Sequence, residues 1–345
     1  MILVLNCGSQ SIKWKVFNEK MKVVQEGKRA VLDQNDFQKC LEDEMSKIDL
    51  TAQAGRTKIT LVGHRVVHGR DIFREPTKIT NENIKRLDEL SRLAPLHNPF
   101  NVLGIKACSV IFSDVPQIAV FDTEFFKDLP EKAFACALPR EVVKEFGFRR
   151  FGFHGISHEY VARKASEKIK KPFNKLKIIT CHLGGGASIT AIKNGKAIDT
   201  SMGFTPMQGL VMMTRAGDID SGVVLEMAHK FGLEKTSEIL SKESGIRGIC
   251  GEGDMLKVLE RVKAGDGEAK TAFDVFVYSV QKYIGSYFAV LGGCDVLVFT
   301  GSIGAGLKIT RDKIFKDLNI LKKTKILSIE TDEELAIAQK IIKII

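Results

Sequence analysis

A chain of 345 residues, 44% of them hydrophobic, is long enough to form two domains with a core in each. The net charge is +10, but the lysines and arginines are spread along the chain, which argues against a nucleic-acid-binding stripe. The apolar runs fall short of the about 20 residues that span a bilayer, and no basic leader precedes the first run. We therefore expect neither a membrane span nor a signal peptide.

The chain opens on a predicted strand hairpin. Residues 1–17 read as an apolar strand, a Gly-Ser turn and a second strand. Residues 178–199 repeat the plan, with three glycines at 184–186 in the first turn and a third strand after Asn194-Gly195. Because the two copies stand near the starts of the two halves of the chain, they indicate an internal duplication.

A third strand and turn come late in the chain. Residues 296–300 predict a buried strand, followed by the small-residue turn GSIGAG at 301–306 and a helix from Thr310. Between these units lie helical patterns, at 83–92, 158–170, 223–231, 254–263 and 270–291. Strands alternating with helices predict an α/β architecture with two lobes.

The glycine-rich turns favour an anionic ligand. Small residues after a strand leave backbone N–H groups free to bind an anion and allow a phosphate to come close. The chain contains neither a G-x-x-x-x-G-K-[ST] phosphate loop nor a strand followed by G-x-G-x-x-G. The sequence therefore predicts phosphate binding by another kind of turn.

Charged and histidine side chains occupy five further short segments. These are GHRVVHG (63–69), LAPLHNP (93–99), VFDTEF (120–125), RRFGFHGISH (149–158) and MTRAGDID (213–220). They contribute Arg65 and Arg215 in glycine-flanked surroundings and Asp122 at the end of a strand. Phosphoryl transfer needs cations around the transferring group, and Mg²⁺ needs only one or two carboxylates in such sites. The combination predicts phosphoryl transfer.

Zinc binding is the alternative for the histidines. His64 and His68, like His154 and His158, are four residues apart, but the first pair lies in a strand-like segment and neither contains the Glu of H-E-x-x-H. For His64, His68 and His158 we favour buried, hydrogen-bonded residues. The seven scattered cysteines include no Cys-x-x-Cys pair, which favours reduced thiols and a cytoplasmic location.

Ten segments in order make the chain resemble the acetate kinase family. They are NCGSQSIK, GHRVVHG, LAPLHNP, VFDTEF, RRFGFHGISH, CHLGGGAS, DTSMGFTP, GLVMMTRAGDID, VFTGSIG and TDEELAIA. The resemblance implies reversible transfer of a phosphoryl group from ATP to acetate, giving acetyl phosphate and ADP, with Mg²⁺ or Mn²⁺. It also implies a homodimer.

The fold implied is α/β, a two-lobed, duplicated, actin/hexokinase-like (ribonuclease H-like) architecture. The N-terminal lobe would comprise residues 1–126 with the C-terminal helix, 334–345. Residues 127–333 would form the C-terminal, nucleotide-binding lobe. Partners would be the small molecules alone, with no nucleic acid and no membrane.

The resemblance also assigns site residues. The catalytic residues would be Arg65, Asp122, His154 and Arg215. The acid would bind to Arg65, Val67, Leu96, Phe153 and Pro206. The nucleotide and its phosphates would bind to Asn6, Ser9, Ser11, Lys13, His97, His182, Gly184, Gly185, Gly186, Asp254, Met255, Gly301, Ile303 and Gly304. The metal would bind to Asn6 and Glu333.

The chain departs from the family pattern on the nucleotide side. Gly185 replaces an Asn, Leu256 replaces an Arg, and Ala305 and Gly306 replace an acid and an amide. The stretches 18–57 and 321–331 are also shorter than in typical members. These departures keep three alternatives open: a different donor (GTP or pyrophosphate), a longer acid (propionate or butyrate), and a non-catalytic family member.

Overall fold

The computed structural model describes residues 1–9, 11–48, 58–95 and 97–344. Two compact units share this chain. Unit 1 comprises Met1–Lys127, Phe153–Ser157 and Asp332–Ile345, and unit 2 comprises Asp128–Gly152 and His158–Thr331. None of the helices within the described ranges is long and apolar enough to cross a membrane.

Strands and helices alternate along much of the chain. The strands are β1 (Ile2–Gly8), β2 (Ser11–Phe17), β3 (Val23–Ala30), β4 (Leu61–Val66), β5 (Thr77–Lys78), β6 (Gln117–Phe121), β7 (Lys177–Leu183), β8 (Ala187–Lys193), β9 (Lys196–Thr200), β10 (Val296–Thr300) and β11 (Lys325–Ser328). The helices are α1 (Phe37–Ser46), α2 (Asn81–Glu89), α3 (Asn98–Ile111), α4 (Glu131–Phe134), α5 (Arg140–Phe146), α6 (Gly155–Ile169), α7 (Ser221–Phe231), α8 (Leu233–Glu238), α9 (Gly245–Cys250), α10 (Met255–Lys263), α11 (Gly267–Leu291), α12 (Gly301–Gly304), α13 (Lys308–Phe315) and α14 (Glu333–Ile341).

The two units contain sheets of the same plan. In unit 1 the strand order is β3-β2-β1-β4-β6-β5, and in unit 2 it is β11-β10-β7-β8-β9. In each sheet the first three strands form an antiparallel meander, and two later strands run parallel to the first, β4 and β6 in unit 1 and β10 and β11 in unit 2. The short β5 pairs antiparallel with β6 at the edge of the unit 1 sheet. The predicted duplication and the predicted actin/hexokinase-like α/β fold are therefore confirmed.

The sheet of unit 1 is buried on both faces. One face packs, through Leu3, Leu5 and Cys7, against α1 and α3. The other face packs, through Ile2 and Val4, against α14. Gly63 on β4 makes the second contact possible, because a Cβ atom there would lie 2.8 Å from both Ile337 and Ile341.

The sheet of unit 2 packs against the long helix α11. Phe276, Val280 and Ile284 follow one another on its buried face, with 0% exposure each, and α11 contacts β8 and β7. Asp266 caps the helix by accepting hydrogen bonds from the N–H groups of residues 268 and 269. Gly292 ends it in the left-handed conformation.

Two local expectations differ from the structure. Residues 301–304 form the short helix α12 rather than an open turn, and the next helix begins at Lys308 rather than Thr310. Phe153–Ser157 belongs to unit 1. The physical reason is the Gly155 N–H, which donates to the Asp122 carbonyl at 2.9 Å.

A side chain at Gly63 tests the packing of α14. We expect Gly63→Ala to lower the free energy of unfolding by about 1–3 kcal/mol, the usual cost of overpacking a full core. Urea unfolding measures this. Gly285→Ala, in α11 with open space around its Cβ position, is the matched control and should stabilise by about 0.5–1 kcal/mol. An unchanged Gly63→Ala would contradict the tight contact.

Candidate active site

Unit 1 gathers polar side chains at the carboxyl ends of its parallel strands β1, β4 and β6. Asn6 lies near the end of β1, Arg65 near the end of β4, and Asp122 directly after β6. Arg65 donates to both carboxylate oxygens of Asp122, from Nε at 3.1 Å and from Nη2 at 2.7 Å. It also donates from Nη1 to Asn6 Oδ1 at 3.3 Å. Ligand sites of α/β proteins occupy this edge of the sheet.

Helix α14 adds two carboxylates to this cluster. Glu333 Oε2 lies 3.3 Å from Arg65 Nη1. Asn6 Nδ2 donates to Glu334 Oε1 at 3.0 Å and to Glu333 Oε2 at 3.3 Å. The first turn of a helix favours negative charge, so α14 stabilises both acids where the chain presents them.

Burial shifts the pKa values of both members of the Arg65–Asp122 ion pair. Burial disfavours the charge on Arg65, but Asp122 and Glu333 outweigh it and raise the Arg65 pKa above its ordinary value. Burial raises the pKa of the Asp122 carboxyl, and Arg65 opposes that shift. The Asp122 side chain is 1% exposed, so its charge depends on Arg65.

The donor set of this cluster fits an oxygen-preferring cation. Asn6, Asp122 and Glu333 offer amide and carboxylate oxygens, the ligands that Mg²⁺ takes. Within the described residues no three acids, histidines or cysteines converge into a ready-made cage. An open site suits Mg²⁺, which usually keeps water and substrate phosphate oxygens among its ligands.

His154 sits in a strained backbone conformation beside Asp122. Its φ is +57°, in the left-handed region, and its N–H donates to the Asp122 carboxylate. Such conformations in residues other than glycine cluster at functional sites. The neighbouring Phe153 is fully buried and meets the edge of the His68 ring at a centroid distance of 5.2 Å.

The other predicted residues of unit 1 surround this cluster less directly. Ser9 lies in the β1–β2 turn, and Lys13 on β2 stands opposite Asn6 in the strand register; Ser11 begins β2. Val67 follows β4 and is 5% exposed. His97 is half-buried directly before α3. Leu96 lies outside the described residues.

The glycine turn of unit 2 has room for a ligand. The Gly184 N–H donates to the Gly186 carbonyl at 3.1 Å, which closes the turn between β7 and β8. A Cβ atom at Gly185 would meet nothing within 4 Å. The protein itself therefore does not require a glycine at 185, and the space is open to a phosphate.

Gly301 has a different reason to be glycine. Its φ is +80°, and a Cβ atom would lie 2.5 Å from the Leu183 carbonyl. The glycine thus lets the end of β10 approach β7, and it opens α12, in which Ile303 and Gly304 are buried. His182 on β7 is half-buried and pairs with Thr300.

The loop after β9 brings Arg215 to the glycine turn. The Met213 N–H donates to the Gly185 carbonyl at 3.4 Å. Arg215 Nη1 donates to the Pro206 carbonyl at 3.0 Å. Burial lowers the pKa of Arg215 to about 10, a shift that a bound anion would reverse.

The predicted adenosine segment is partly structural. Asp254 caps α10 by accepting the Leu256 N–H at 2.8 Å, and Met255 is buried, with 3% exposure. A Cβ atom at Gly253 would lie 3.6 Å from the Thr214 side chain, so this segment lies beside the Arg215 loop. Leu256 is 57% exposed.

Each unit therefore assembles its own part of the predicted site. Unit 1 joins Asn6, Arg65, Asp122, His154 and Glu333, and unit 2 joins the glycine turn with the loop that carries Pro206 and Arg215. The sequence interpretation missed two members of the unit 1 cluster, Glu334 and Lys15. Lys15 Nζ lies 2.8 Å from Asp332 and 3.9 Å from Glu334. The adjacent acids of TDEE were the available signal for Glu334; the Lys15 contact needs the fold.

The three histidines that we expected to be structural are buried and hydrogen-bonded. His64 Nε2 lies 2.8 Å from Gln117 Oε1, and the His68 Nδ1 accepts the Arg70 N–H at 3.1 Å. His158 contacts Thr180 and Ser188 hydroxyls at 2.7 and 2.8 Å. Burial lowers the pKa of His64 to about 4 and that of His158 well below its ordinary value.

The comparison with known proteins decides the family. The family model described as "Acetokinase family" matches residues 19–341. The chain belongs to the acetokinase family. An acetate kinase of Carboxydothermus hydrogenoformans is 39% identical over 393 residues, covering 100% of this chain and 99% of the relative. Because that alignment is longer than this chain, the relative carries segments that this chain lacks.

Solved structures agree with this assignment. Porphyromonas gingivalis acetate kinase superposes with a TM-score of 0.88 at 36% identity and covers 99% of each chain. A propionate kinase from Francisella tularensis has the same TM-score at 34% identity and covers 98% of each chain. The acetokinase fold thus extends over almost the whole chain and includes proteins named for different acids.

Removing Arg65 tests the buried ion pair. We expect Arg65→Met to lower the free energy of unfolding by about 3–5 kcal/mol, because it leaves the Asp122 charge buried and unpaired. Asp122→Asn in the same chain should recover a large part of that loss. Urea unfolding of both single variants and the double variant measures the coupling; purely additive losses would contradict the ion pair.

Acid should destabilise the fold through His64. The folded-state pKa, about 4, lies below the unfolded value of about 6.5, so the stabilisation is complete above 6.5 and is lost as pH falls toward 4. The full contribution is about 3 kcal/mol. Unfolding at pH 7.5, 5.5 and 4.5 measures it. His64→Gln, which keeps a hydrogen-bonding side chain but does not titrate, should show a shallower loss; an equal loss would exclude His64 as a source.

Proposed function

We propose that this chain is an acetate kinase that transfers the γ-phosphoryl group of ATP to acetate reversibly, giving acetyl phosphate and ADP. Membership of the acetokinase family along residues 19–341 carries the proposal. Enzymes of this family are phosphotransferases whose acceptor is a carboxyl group. The cluster of Arg65, Asp122 and Glu333 is the arrangement that such a reaction needs.

Arg65 orients the acid and neutralises charge in this proposal. Its guanidinium is already fixed by the two bonds to Asp122, so no rotamer freedom has to be lost when a carboxylate binds. Val67 and Phe153, both buried, are the unit 1 residues that we propose to face the acyl methyl group; Leu96 and Pro206 are the other two residues that the family resemblance assigns to it. His154 donates a hydrogen bond to the transferring phosphoryl.

Asn6 and Glu333, with Asp122 beside them, would hold Mg²⁺. When bound, the ion neutralises the phosphate oxygens and fixes their orientation. The described contacts support the choice, since Asn6 touches both acids of α14 while it touches Arg65. Asp122 positions Arg65 and the His154 backbone in the same small region.

Residues of unit 2 bind the nucleotide. The turn at 184–186 receives phosphates through the backbone N–H groups that follow Gly184, with His182 and the start of α12 alongside. Arg215 stabilises the charge that spreads over the transferring group. Ser9, Ser11, Lys13 and His97 in unit 1 complete the phosphate contacts, and Asp254 and Met255 mark the adenosine side.

The reaction needs no general base. A small carboxylic acid is ionised at pH 7, because ordinary carboxyl pKa values lie near 4. Catalysis then consists of positioning the acid in line with the γ-phosphoryl group and stabilising the charge. This agrees with a site built from arginines, acids and backbone N–H groups.

A longer acid is the second candidate. The resemblance to a propionate kinase at a TM-score of 0.88 supports it. One methylene group is worth about 1–3 kcal/mol in a hydrophobic pocket, so we expect acetate to be preferred and propionate to be accepted. GTP and pyrophosphate remain alternative donors, because Leu256, Ala305 and Gly306 replace polar residues of the family pattern on the side that would bind adenosine.

We further propose a cytoplasmic homodimer in which units 1 and 2 correspond to the predicted lobes. The seven cysteines are free thiols, which supports a reducing compartment. Large apolar side chains on unit 2, among them Leu225 at 70%, Leu233 at 73% and Tyr278 at 63% exposure, support a subunit contact there.

Trapping the acyl phosphate as its hydroxamate tests the function. The assay combines acetate and Mg²⁺ with ATP, GTP or pyrophosphate in parallel. We expect activity with ATP, lost when EDTA removes the metal. Arg215→Ala should lower turnover about 10²–10³-fold, the usual loss when one charge-stabilising donor is removed.

Arg163→Ala is the matched control, because Arg163 forms a surface pair with Glu159 and should leave turnover unchanged. Activity with pyrophosphate alone would replace ATP as the donor. Silence with every donor, repeated with propionate and butyrate, would refute the enzyme and favour the non-catalytic alternative.

A further inference from the structure

Two asparagines of α3 are buried as deeply as the apolar core. Asn98 has 0% and Asn101 has 3% exposure. A buried amide is costly unless its oxygen and its nitrogen both find partners. The partners of these two amides are backbone groups of the segment that follows β4 and of the end of β1.

Each amide makes two hydrogen bonds to the main chain. Asn98 accepts the His68 N–H at 3.0 Å and donates to the His68 carbonyl at 3.0 Å. Asn101 accepts the Val67 N–H at 3.0 Å and donates to the Cys7 carbonyl at 2.5 Å. Three of the four bonds therefore hold residues 67 and 68. The fourth, from Asn101 to the Cys7 carbonyl, joins α3 to β1.

These bonds replace the sheet ladder where it stops. Strand β4 ends at Val66, so the next two residues need partners for buried backbone groups from elsewhere. Helix α3 can supply them because it packs closely on β1 at Gly104, where a Cβ atom would lie 2.7 Å from the Cys7 sulfur. The position of residues 67 and 68 is thus set by α3.

One of these two residues, and a neighbour of the other, are residues that we propose to face the acyl methyl group. Val67 is one of these residues, and the His68 ring packs edge-on, at 77°, against Phe153, which is another. We propose that Asn98 and Asn101 are positioning residues that determine the length of the acyl chain the enzyme accepts. This inference rests on the proposed function.

The test compares kcat/KM for acetate, propionate and butyrate in Asn98→Ala and Asn101→Ala with MgATP. A fixed pocket discriminates about 10–200-fold per methylene group. Releasing residues 67 and 68 should reduce the preference for acetate over butyrate at least about fivefold, with little change in the KM for ATP. Ser109→Ala is the control, because Ser109 lies on the same helix and its hydroxyl donates to the Ile105 carbonyl at 2.9 Å, away from residues 67 and 68.

Hydrogen exchange gives a second, non-catalytic measurement. The Val67 and His68 amides should exchange faster in the two alanine variants and not in Ser109→Ala. If an alanine variant does not fold, Gly104→Ala provides the test, because the added Cβ atom, 2.7 Å from the Cys7 sulfur, moves α3 away from β1. It should reduce the preference for acetate over butyrate in the same direction.

The possible results distinguish failure of the positioning role of Asn98 and Asn101 from failure of the proposed acetate kinase activity. An equal fall of kcat/KM for all three acids, or an unchanged preference with faster exchange, would overturn the positioning role while the enzyme stays an acetate kinase. A wild-type chain that phosphorylates none of the acids would overturn the function, and the specificity role with it.

Discussion

The buried pair of Arg65 and Asp122 is the interaction on which the unit 1 site depends. A carboxylate with 1% exposure is stable only beside a fixed cation, so Asp122 and Arg65 hold each other at the ends of β6 and β4. Asn6 and Glu333 attach to the same guanidinium. The Arg65 guanidinium therefore links the ends of β1, β4 and β6 to the start of α14. These contacts fix the positions of the four elements relative to one another.

Helix α14 packs on the sheet through its later residues and presents carboxylates from its first turn. Ile337 and Ile341 pack on the sheet over Gly63, and Glu333 and Glu334 present carboxylates at the first turn. Asp332 caps the helix through the Leu335 N–H and also pairs with Lys15. Packing, capping and charge thus act together, since the acids reach Asn6 only if the helix lies flat on the sheet.

The duplicated sheets explain why polar groups collect where they do. In both sheets an antiparallel meander is joined by two strands parallel to its first strand, β4 and β6 in unit 1 and β10 and β11 in unit 2, and the polar groups and glycines lie at the carboxyl ends of these strands. Unit 1 places charged side chains there, whereas unit 2 places glycines. The surroundings of two of these glycines differ. At Gly301 a side chain would clash with the Leu183 carbonyl, whereas a Cβ atom at Gly185 would meet no protein atom within 4 Å.

The sequence by itself determined the alternation of strands and helices, the duplicated hairpins and the family, because periodicity, turn residues and ordered motifs are local properties of the chain. It also identified Arg65, Asp122 and Glu333 as a set, although they are far apart in sequence, because each lies in a recognisable segment. It did not predict that residues 301–304 form a helical turn, since the conformation there depends on the close approach of the distant Leu183 carbonyl. Only the tertiary structure revealed the contact of Lys15 on β2 with Asp332 and Glu334, and the hydrogen bonds from the asparagines of α3 to residues 67 and 68. Nothing local marks those residues; their roles exist because folding removes backbone and charged groups from water and requires a partner for each.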